Sequence, residues 1–405
     1  RIYQRLVAEY GFTGGESIVR QVVAELRGRQ VEPYIPLVAA PGEMAQADWG
    51  PAVVILGGRR TEVQLFCLRL HFSGVAFVRA YPTQRLEAFL DGHCRAFAWL
   101  GGVPACLVYD NPKTAVVRIL QGPEREEHIR FASLRAHYLF ESRFCRPGQA
   151  HEKGGVENLV GYVRRSALVP LPDLPDWEGL NAHLLAWCEH HRHQRLPSWE
   201  VEQAALRALP AHPFRCSITR MVKVNALSLV HFDRNRYSVP TAYIGRTLQL
   251  EAFADRLELW SQQRLVATHP RSYGRGETLL VLDHYLDALA RKPRAVLNAR
   301  VVRQLPEVYE RVRQRLCAAR PDGYRDFCAL LLLHREFPAE QVRHAMEQAL
   351  AMGMLEPATV RQLLLNQTAP AAPGPVAVPP AFRDVQLAPA DLGRYNALLE
   401  GRRTS

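Results

Sequence analysis

The chain has 405 residues, 48% of them hydrophobic and 22% charged, which supports buried cores and excludes wholesale disorder. At roughly 100–200 residues per domain, such a length divides into two to four domains. Lys and Arg number 51 against 40 Asp and Glu, a net charge of +11, and an excess of that sign favours a polyanionic partner, most often nucleic acid.

The first 30 residues are expected to be helical, within a partial helix-turn-helix domain over 1–34. Ile2, Leu6 and Val7 make a short apolar stripe. Thr13-Gly14-Gly15-Glu16 then fits a capping box, and Ile18, Val22, Val23 and Leu26 recur at helical spacing. Ser17, Arg20, Gln21 and Arg27 fall toward the other face. Two short helices around a Gly-containing turn fit part of a helix-turn-helix with those four residues toward DNA; a plain helical hairpin is the alternative. Pro33, Pro36 and Pro41 make the next stretch extended, with a linker over 35–44.

A mixed α/β block is expected over 45–170. Runs 45–55, 62–70 and 74–81 are strand-like, with Gly57-Gly58 and Ser73-Gly74 as turns between them. Residues 85–100 are amphipathic and helical, with Phe89, Cys94, Phe97 and Leu100 on the apolar side. A strand at 103–109, helix at 131–138, strand at 139–145 and helix at 155–166 complete the block. A helical extension over 171–220 opens with three prolines at 170–175 and continues as a helix at 177–195. From 221 to 272 short strands at 228–232, 236–239, 247–253, 256–260 and 265–269 predict a small β-barrel. Residues 273–368 form a helical region. A Pro/Ala linker at 369–383 leads to an amphipathic tail helix at 384–405 bearing Leu392, Tyr395, Leu398 and Leu399. The fold class is therefore multidomain, α/β plus β plus α.

No apolar run approaches the ~20 residues of a membrane span; the longest candidate is Ala329 to Leu333. No basic start followed by an apolar stretch marks a secretory signal. The chain starts at Arg1 rather than Met, so a further N-terminal segment is expected. The eight cysteines are scattered and form no Cys-x-x-Cys pair, the pattern of reduced thiols in an intracellular, cytoplasmic protein.

Three acids stand out by context. Asp48 lies in Gln46-Ala47-Asp48-Trp49-Gly50 on the first strand of the α/β block, and Asp110 in Tyr109-Asp110-Asn111 at the end of the fourth. Glu157 lies in Lys153-Gly154-Gly155-Val156-Glu157 on the first turn of a helix. Each alone has a structural explanation, as a cap, a pair or a turn. Together, on adjacent strands and a packing helix, they make one hard-oxygen pocket suited to Mg²⁺. Two such ions ~3.5–4 Å apart serve phosphodiester chemistry. Glu152 competes for the third role, but Gly154-Gly155 favours a helix that begins after it, and Arg164 and Arg165 lie on the helix of Glu157, placed to meet phosphates.

This order of strands and helices, with Asp48, Asp110-Asn111 and Lys153-Gly154-x-Val156-Glu157, resembles the DDE transposase and retroviral integrase catalytic core, an RNase H-like fold. More narrowly, the chain is similar to the IstA-type transposases of bacterial insertion sequences. Asp233-Arg234-Asn235-Arg236-Tyr237-Ser238-Val239-Pro240, His284-Tyr285-Leu286 and Arg291-Lys292-Pro293 carry that likeness. Two departures are Pro112, where integrases usually have Gly, and the 47-residue step from Asp110 to Glu157, which points to an insertion around 117–130. The resemblance implies that Asp48, Asp110 and Glu157 hold two Mg²⁺ ions, with Mn²⁺ able to substitute. Water then frees a 3′-OH at the transposon end, and that 3′-OH attacks target DNA. It also implies a homo-oligomer on paired ends and an AAA+ ATPase helper of the IstB type. A catalytically silent DNA-binding protein on the same core, or a nuclease without strand transfer, are the competing functions.

Further basic residues are candidates for DNA contact: Lys113, Arg164, Arg165, Arg234, Arg236, Arg291 and Lys292. Cys188, His190, His191 and His193 resemble a zinc cluster, but their spacing is not that of a finger, and a polar basic helix face is the preferred reading. Trp49 is expected to pack in the core beside Asp48. The tail helix after the proline linker is expected to dock the ATPase helper.

Overall fold

The computed structural model describes residues 2–26, 39–109, 116–119, 125–144 and 157–368. Arg27, the linker over 35–38, the segment from Asp110 through Lys113, and the tail from 369 lie outside the described residues. The chain divides into two compact units at Leu279/Leu280.

The first unit opens with two helices, α1 (Ile2–Tyr10) and α2 (Glu16–Leu26). The second starts at the glutamate of the capping-box motif, where Ile18 and Val19 N–H both bond the carbonyl of Gly15. Three antiparallel strands follow: β1 (Met44–Leu56), β2 (Arg59–Leu70) and β3 (Ala76–Tyr81). Then come α3 (Leu86–Leu100), β4 (Cys106–Tyr109), the hairpin β5 (Val116–Ile119) with β6 (Arg125–Glu127), α4 (Ile129–Tyr138), β7 (Glu141–Phe144) and α5 (Glu157–Ser166). The hairpin occupies the region where an insertion was expected. The sheet order is β3-β2-β1-β4-β7, with β4 parallel to β1 and β7 parallel to β4. A two-residue strand, β8 (Asp173–Leu174), pairs with the far end of β1 and explains why the proline-rich break runs extended.

Alternation along β1 assigns the two faces. Ala45, Ala47 and Trp49 join Phe66, Leu68 and Phe77 under α3 and α4. Ala52 and Val54 join Val63, Leu65 and Cys67 under α5 and under α6 (Trp177–His193). The block is thus a three-layer α/β/α sandwich with a core on each side of the sheet. Trp49 packs edge-on against Phe66 and Tyr81, with ring centroids 5.5 and 5.7 Å away. Within the expected helical extension over 171–220, a second helix, α7 (Leu196–Ala205), follows α6. Its buried Glu202 accepts N–H bonds from Gly42 (2.9 Å) and Ser73 (2.6 Å), stapling the entry to β1 to the β2–β3 turn.

His93 sits at the centre of the α3 side, fully buried among Phe66, Phe89 and Phe131. Its Nδ1 meets the Phe89 carbonyl at 2.7 Å, so that nitrogen carries the proton, and its Nε2 accepts from the Tyr109 hydroxyl at 2.8 Å. Burial pushes its pKa down to about 4.

The remaining strands of this unit form two sheets on one core built by Val230, Tyr237, Val239, Leu248, Leu250 and Leu259. One sheet has the order β14 (Arg264–Pro270), β13 (Arg256–Ser261), β12 (Thr247–Ala252), β9 (Ile218–Lys223). The other runs β10 (Leu229–Phe232), β11 (Asn235–Ser238), β15 (Thr278–Leu279). Among the described residues the ladder divides into these two sheets rather than running as one continuous ring.

A buried ion-pair network fastens these sheets to α3. The Arg271 side chain is wholly buried, 2.6 Å from the equally buried Glu87 of α3 and 2.9 Å from Asp233 in the β10–β11 turn. Arg85, at the N-cap of α3, also pairs with Asp233. Burial alone would raise the Asp233 carboxyl, but bonds from Arg271 and Arg85 outweigh it and hold it below the ordinary range. The rings of Tyr273 and Phe232 face the same guanidinium.

The second unit is helical: α8 (Asp283–Arg291), α9 (Arg300–Arg303), α10 (Glu307–Ala319), α11 (Gly323–Leu332), α12 (Ala339–Met352) and α13 (Pro357–Thr368). Val312, Phe327, Leu331, Val342, Met346 and Val360 form its core. No described helix is long and apolar enough to cross a membrane.

Two predictions follow from these cores. Arg271→Met strands the Glu87 carboxylate without its cation, and should cost about 3–5 kcal/mol in urea unfolding. Adding Glu87→Gln should recover part of that loss, and a single-variant cost below about 1 kcal/mol would show that the network contributes little. The second concerns acid. Unfolded His93 binds a proton near pH 6.5, whereas the folded residue does so only near 4. Its stabilising contribution is therefore complete above pH 6.5 and is lost as pH falls toward 4, at up to about 1.4 kcal/mol per pH unit. Urea midpoints between pH 7 and 4.5 measure this, and His93→Gln should flatten the slope.

Candidate active site

Asp48 lies half-buried in the first half of β1, directly across from Cys67 of β2. The sandwich alternation puts it on the α5 and α6 side, in line with Gln46, Gly50 and Ala52. Its Oδ1 accepts the Trp49 N–H at 2.7 Å. The Cys67 thiol registers its surroundings: burial pushes its pKa far up, Asp48 pushes it further, and Arg164 on α5 pulls it down. Asp48 and Arg164 therefore share one neighbourhood above β1 and β2.

The parallel β1–β4 register pairs Ala47 with Tyr109. The residue immediately before Asp48 is thus level with the residue immediately before Asp110 in sequence. Asp110 itself lies outside the described residues.

Helix α5 arrives at the same place by close packing. A Cβ at Gly50 would stand 2.1 Å from Cγ1 of Val160, so only glycine lets the helix come this near β1. Val160 is one helical turn after Glu157, at which α5 begins. The backbone of α5 thus starts beside β1 two residues from Asp48; the Glu157 side chain is outside the described residues. Arg164 and Arg165, in the last turn of α5, are exposed.

The other candidate DNA contacts are distributed over several elements. Ser17, Arg20 and Gln21 are exposed on α2, with Arg20 bonded to Glu16 at 2.9 Å. Arg234 is exposed in the β10–β11 turn at a φ of 65°, and Arg236 is half-buried near the Gly276 carbonyl. Arg291 and Lys292 are exposed at the end of α8 in the helical unit. The zinc-like residues of α6 point apart: Cys188 takes the Val78 N–H, His191 stacks on Trp187, and His190 meets Gln194. Cys94 of α3 lies beside Cys216, with sulfurs 2.8 Å apart, and the described cysteines are free thiols.

Sequence reading missed Gly50 and Val160 as a pair, because a glycine beside an acid in a strand gives no sign of what packs on it. It also missed Arg69 and Arg195, which come together on the α6 side of the sheet.

Comparison with known proteins gives this arrangement its family. The family model described as "Mu transposase, C-terminal domain" matches residues 209–281, the two-sheet region and its approach. The transposase for insertion sequences IS1326/IS1353 of Pseudomonas aeruginosa is 33% identical over 98% of this chain and 82% of its own length. The transposase for insertion sequence element IS21, also from Pseudomonas aeruginosa, is 30% identical over 64% of this chain and 69% of its own. Among solved structures, a simian T-cell lymphotropic virus intasome in complex with PP2A regulatory subunit B56 gamma is similar over 58% of this chain and 78% of that one, with 16% identity and a TM-score of 0.32. The class is that of insertion-sequence transposases. Within it, the chain belongs to the IS1326/IS21 family.

The Gly50–Val160 contact has a direct test. Gly50→Ala should destabilise the unit by about 1–3 kcal/mol, because a methyl group must displace the Val160 side chain. Val160→Ala in the same chain should restore most of the loss in a denaturation experiment. A double variant no more stable than Gly50→Ala would mean that this contact does not set the helix position.

Proposed function

We propose that this chain is a DNA strand transferase with an RNase H-like core, in which Asp48, Asp110 and Glu157 form a DDE set. The carrying observation is the meeting of three elements at one point of β1. Asp48 is on the strand, β4 ends level with Ala47, and α5 begins against Gly50. Membership of a transposase family supports the same reading.

In this reading the chain binds the ends of its insertion sequence, nicks them to free a 3′-OH, and joins that hydroxyl to target DNA by transesterification. The nick consumes water; the joining step exchanges one phosphodiester for another and needs no external energy source. A set of three carboxylates is all oxygen, which fits a hard divalent cation such as Mg²⁺ or Mn²⁺. Two bound cations would supply activation of the attacking oxygen and neutralisation of the leaving one. The protein's own contribution is positional: Asp48 is held by its strand and by the Trp49 N–H, and α5 by the close contact at Gly50. Exposed Arg164 and Arg165 extend from that helix toward the substrate's phosphates.

DNA contact over a wider surface falls to Ser17, Arg20 and Gln21 of α2, to Arg234 and Arg236, and to Arg291 and Lys292. The protein acts as a homo-oligomer on paired ends. An AAA+ ATPase helper docks on the tail at 384–405, beyond the described residues.

The test joins a pre-cut terminal duplex to a plasmid in Mg²⁺. Asp48→Asn should lose joined product by at least a hundredfold while keeping end-DNA affinity within a few fold. Joining by Asp48→Asn at the wild-type rate would remove Asp48 from the site, and cleavage without joining by the wild type would identify a nuclease.

A further inference from the structure

Cys94 and Cys216 are 122 positions apart in the chain, yet their sulfurs lie 2.8 Å from one another. Both are free thiols. An S–S bond is about 2.05 Å long, so less than about 1 Å of closure separates this contact from a covalent one. Packing holds the sulfurs in place. Both residues belong to the core on the α3 side of the sheet. The Tyr138 hydroxyl of α4 bonds the Cys94 sulfur and meets the Phe214 backbone. The Cys216 sulfur meets the Phe214 carbonyl at 3.4 Å.

The stretch that carries Cys216 is itself anchored on two sides. Arg130 of α4 donates to the carbonyls of Arg215 and Ser217. Arg215 reaches the other way and bonds Glu251 of β12 and Glu258 of β13, each at 2.7 Å. Cys216 therefore sits where the chain passes from the sandwich into the two sheets. Its partner Cys94 is about two turns along α3 from Glu87, the helix residue that pairs with Arg271.

The two thiols are not equivalent. Cys94 is half-buried, whereas Cys216 is only 7% exposed. The Cys216 S–H donates to the Cys94 sulfur, and that bond together with burial raises the Cys216 pKa, so Cys216 keeps its proton. The outer thiol is placed to meet an oxidant first, and the inner one to displace what forms on it.

We propose that Cys94 and Cys216 form a reversible oxidation site whose oxidant is a hydroperoxide. The Cys94 sulfur attacks the O–O bond, takes one oxygen as a sulfenic acid, and the other oxygen leaves with the proton as an alcohol or water. The Cys216 sulfur then attacks the Cys94 sulfur; the S–S bond forms, the S–O bond breaks, and the hydroxyl leaves with the Cys216 proton as water. Two electrons pass from the thiol pair to the peroxide, and a dithiol restores the pair by exchange. The bridge fastens α3 to the lead into β9, a covalent companion to the Arg271–Glu87 joint. It stands independently of the joining reaction proposed above.

The experiment uses the reduced full chain and hydrogen peroxide, with alkylation of the remaining thiols followed by intact mass and peptide mapping. Oxidation should lower the mass by about 2 Da, for the two hydrogens lost, and yield one linked peptide pair joining Cys94 to Cys216. Dithiothreitol should reverse the change, and the bridged chain should melt at a higher temperature than the reduced one. Cys216→Ser should stop at the sulfenic acid, captured on Cys94 by dimedone, and Cys94→Ser should slow the reaction of residue 216 by about tenfold or more. Over-oxidation of Cys94 at the same rate in wild type and Cys216→Ser, with no bridge, would overturn the site. So would a bridge that forms first between other cysteines. Mapping of the wild-type bridge decides the matter even where a serine variant does not fold.

Discussion

The close approach of α5 to β1 is the constraint on which the α/β sandwich depends. Gly50 has no side chain, Val160 occupies the space, and the helix axis is thereby fixed against the central strand. That strand is paired on both edges, with β2 and β4, and covered on both faces. A residue on it is therefore located relative to two other strands and a helix at once. Asp48 takes its position from these contacts together with the Trp49 N–H bond to its Oδ1. The neighbouring His93–Tyr109 bond does the same for the end of β4, holding the last residue before Asp110 to the middle of α3.

A second rigid joint links this sandwich to the two-sheet region. Glu87 and Arg271 are both removed from water, and burying an ion pair is costly unless the remaining donors are satisfied. Here the two Nη groups of Arg271 bond Asp233 and the Phe253 carbonyl and two aromatic rings cover it, while its Nε is buried without a hydrogen bond. Asp233 sits in the turn between β10 and β11, at a positive φ of 51°, so the turn that presents Arg234 is tied to the first turn of α3. The joint thus relates a basic, exposed turn to the sheet that carries Asp48.

Much of this was legible in the sequence because β1 to α5 alternate cleanly in period. The runs 45–55 and 62–70 became β1 and β2 with their ends extended by one to three residues, since the Gly57-Gly58 turn lets pairing continue to the tip. Of the three acids singled out by context, only Asp48 lies with its side chain among the described residues, on β1 as expected. What was hidden is tertiary. The β8 pairing depends on the far end of β1, and no local pattern in a proline-rich stretch announces it. α7 follows α6 after a short turn, with Pro197 in its first turn, a position that reads equally as a break or as a start. The strands expected to form a barrel lie in two sheets on one core, and β15, far along the chain, pairs with β11. Zinc-like spacing on α6 dissolves for a simpler reason: Cys188 and His191 are buried against different neighbours, and His190 faces outward.

Charge explains why an acidic centre can coexist with a DNA substrate. Carboxylates gathered at one point, as proposed for Asp48, Asp110 and Glu157, repel phosphate until bound cations offset them, and nearby basic residues ease the approach of a long polyanion. The chain answers with basic residues on elements that already pack around the acid: Arg164 on α5, Arg69 on β2 and Arg195 at the end of α6. The excess of +11 over the whole chain draws DNA in from a distance, but it falls off within a Debye length of ~8 Å in physiological salt.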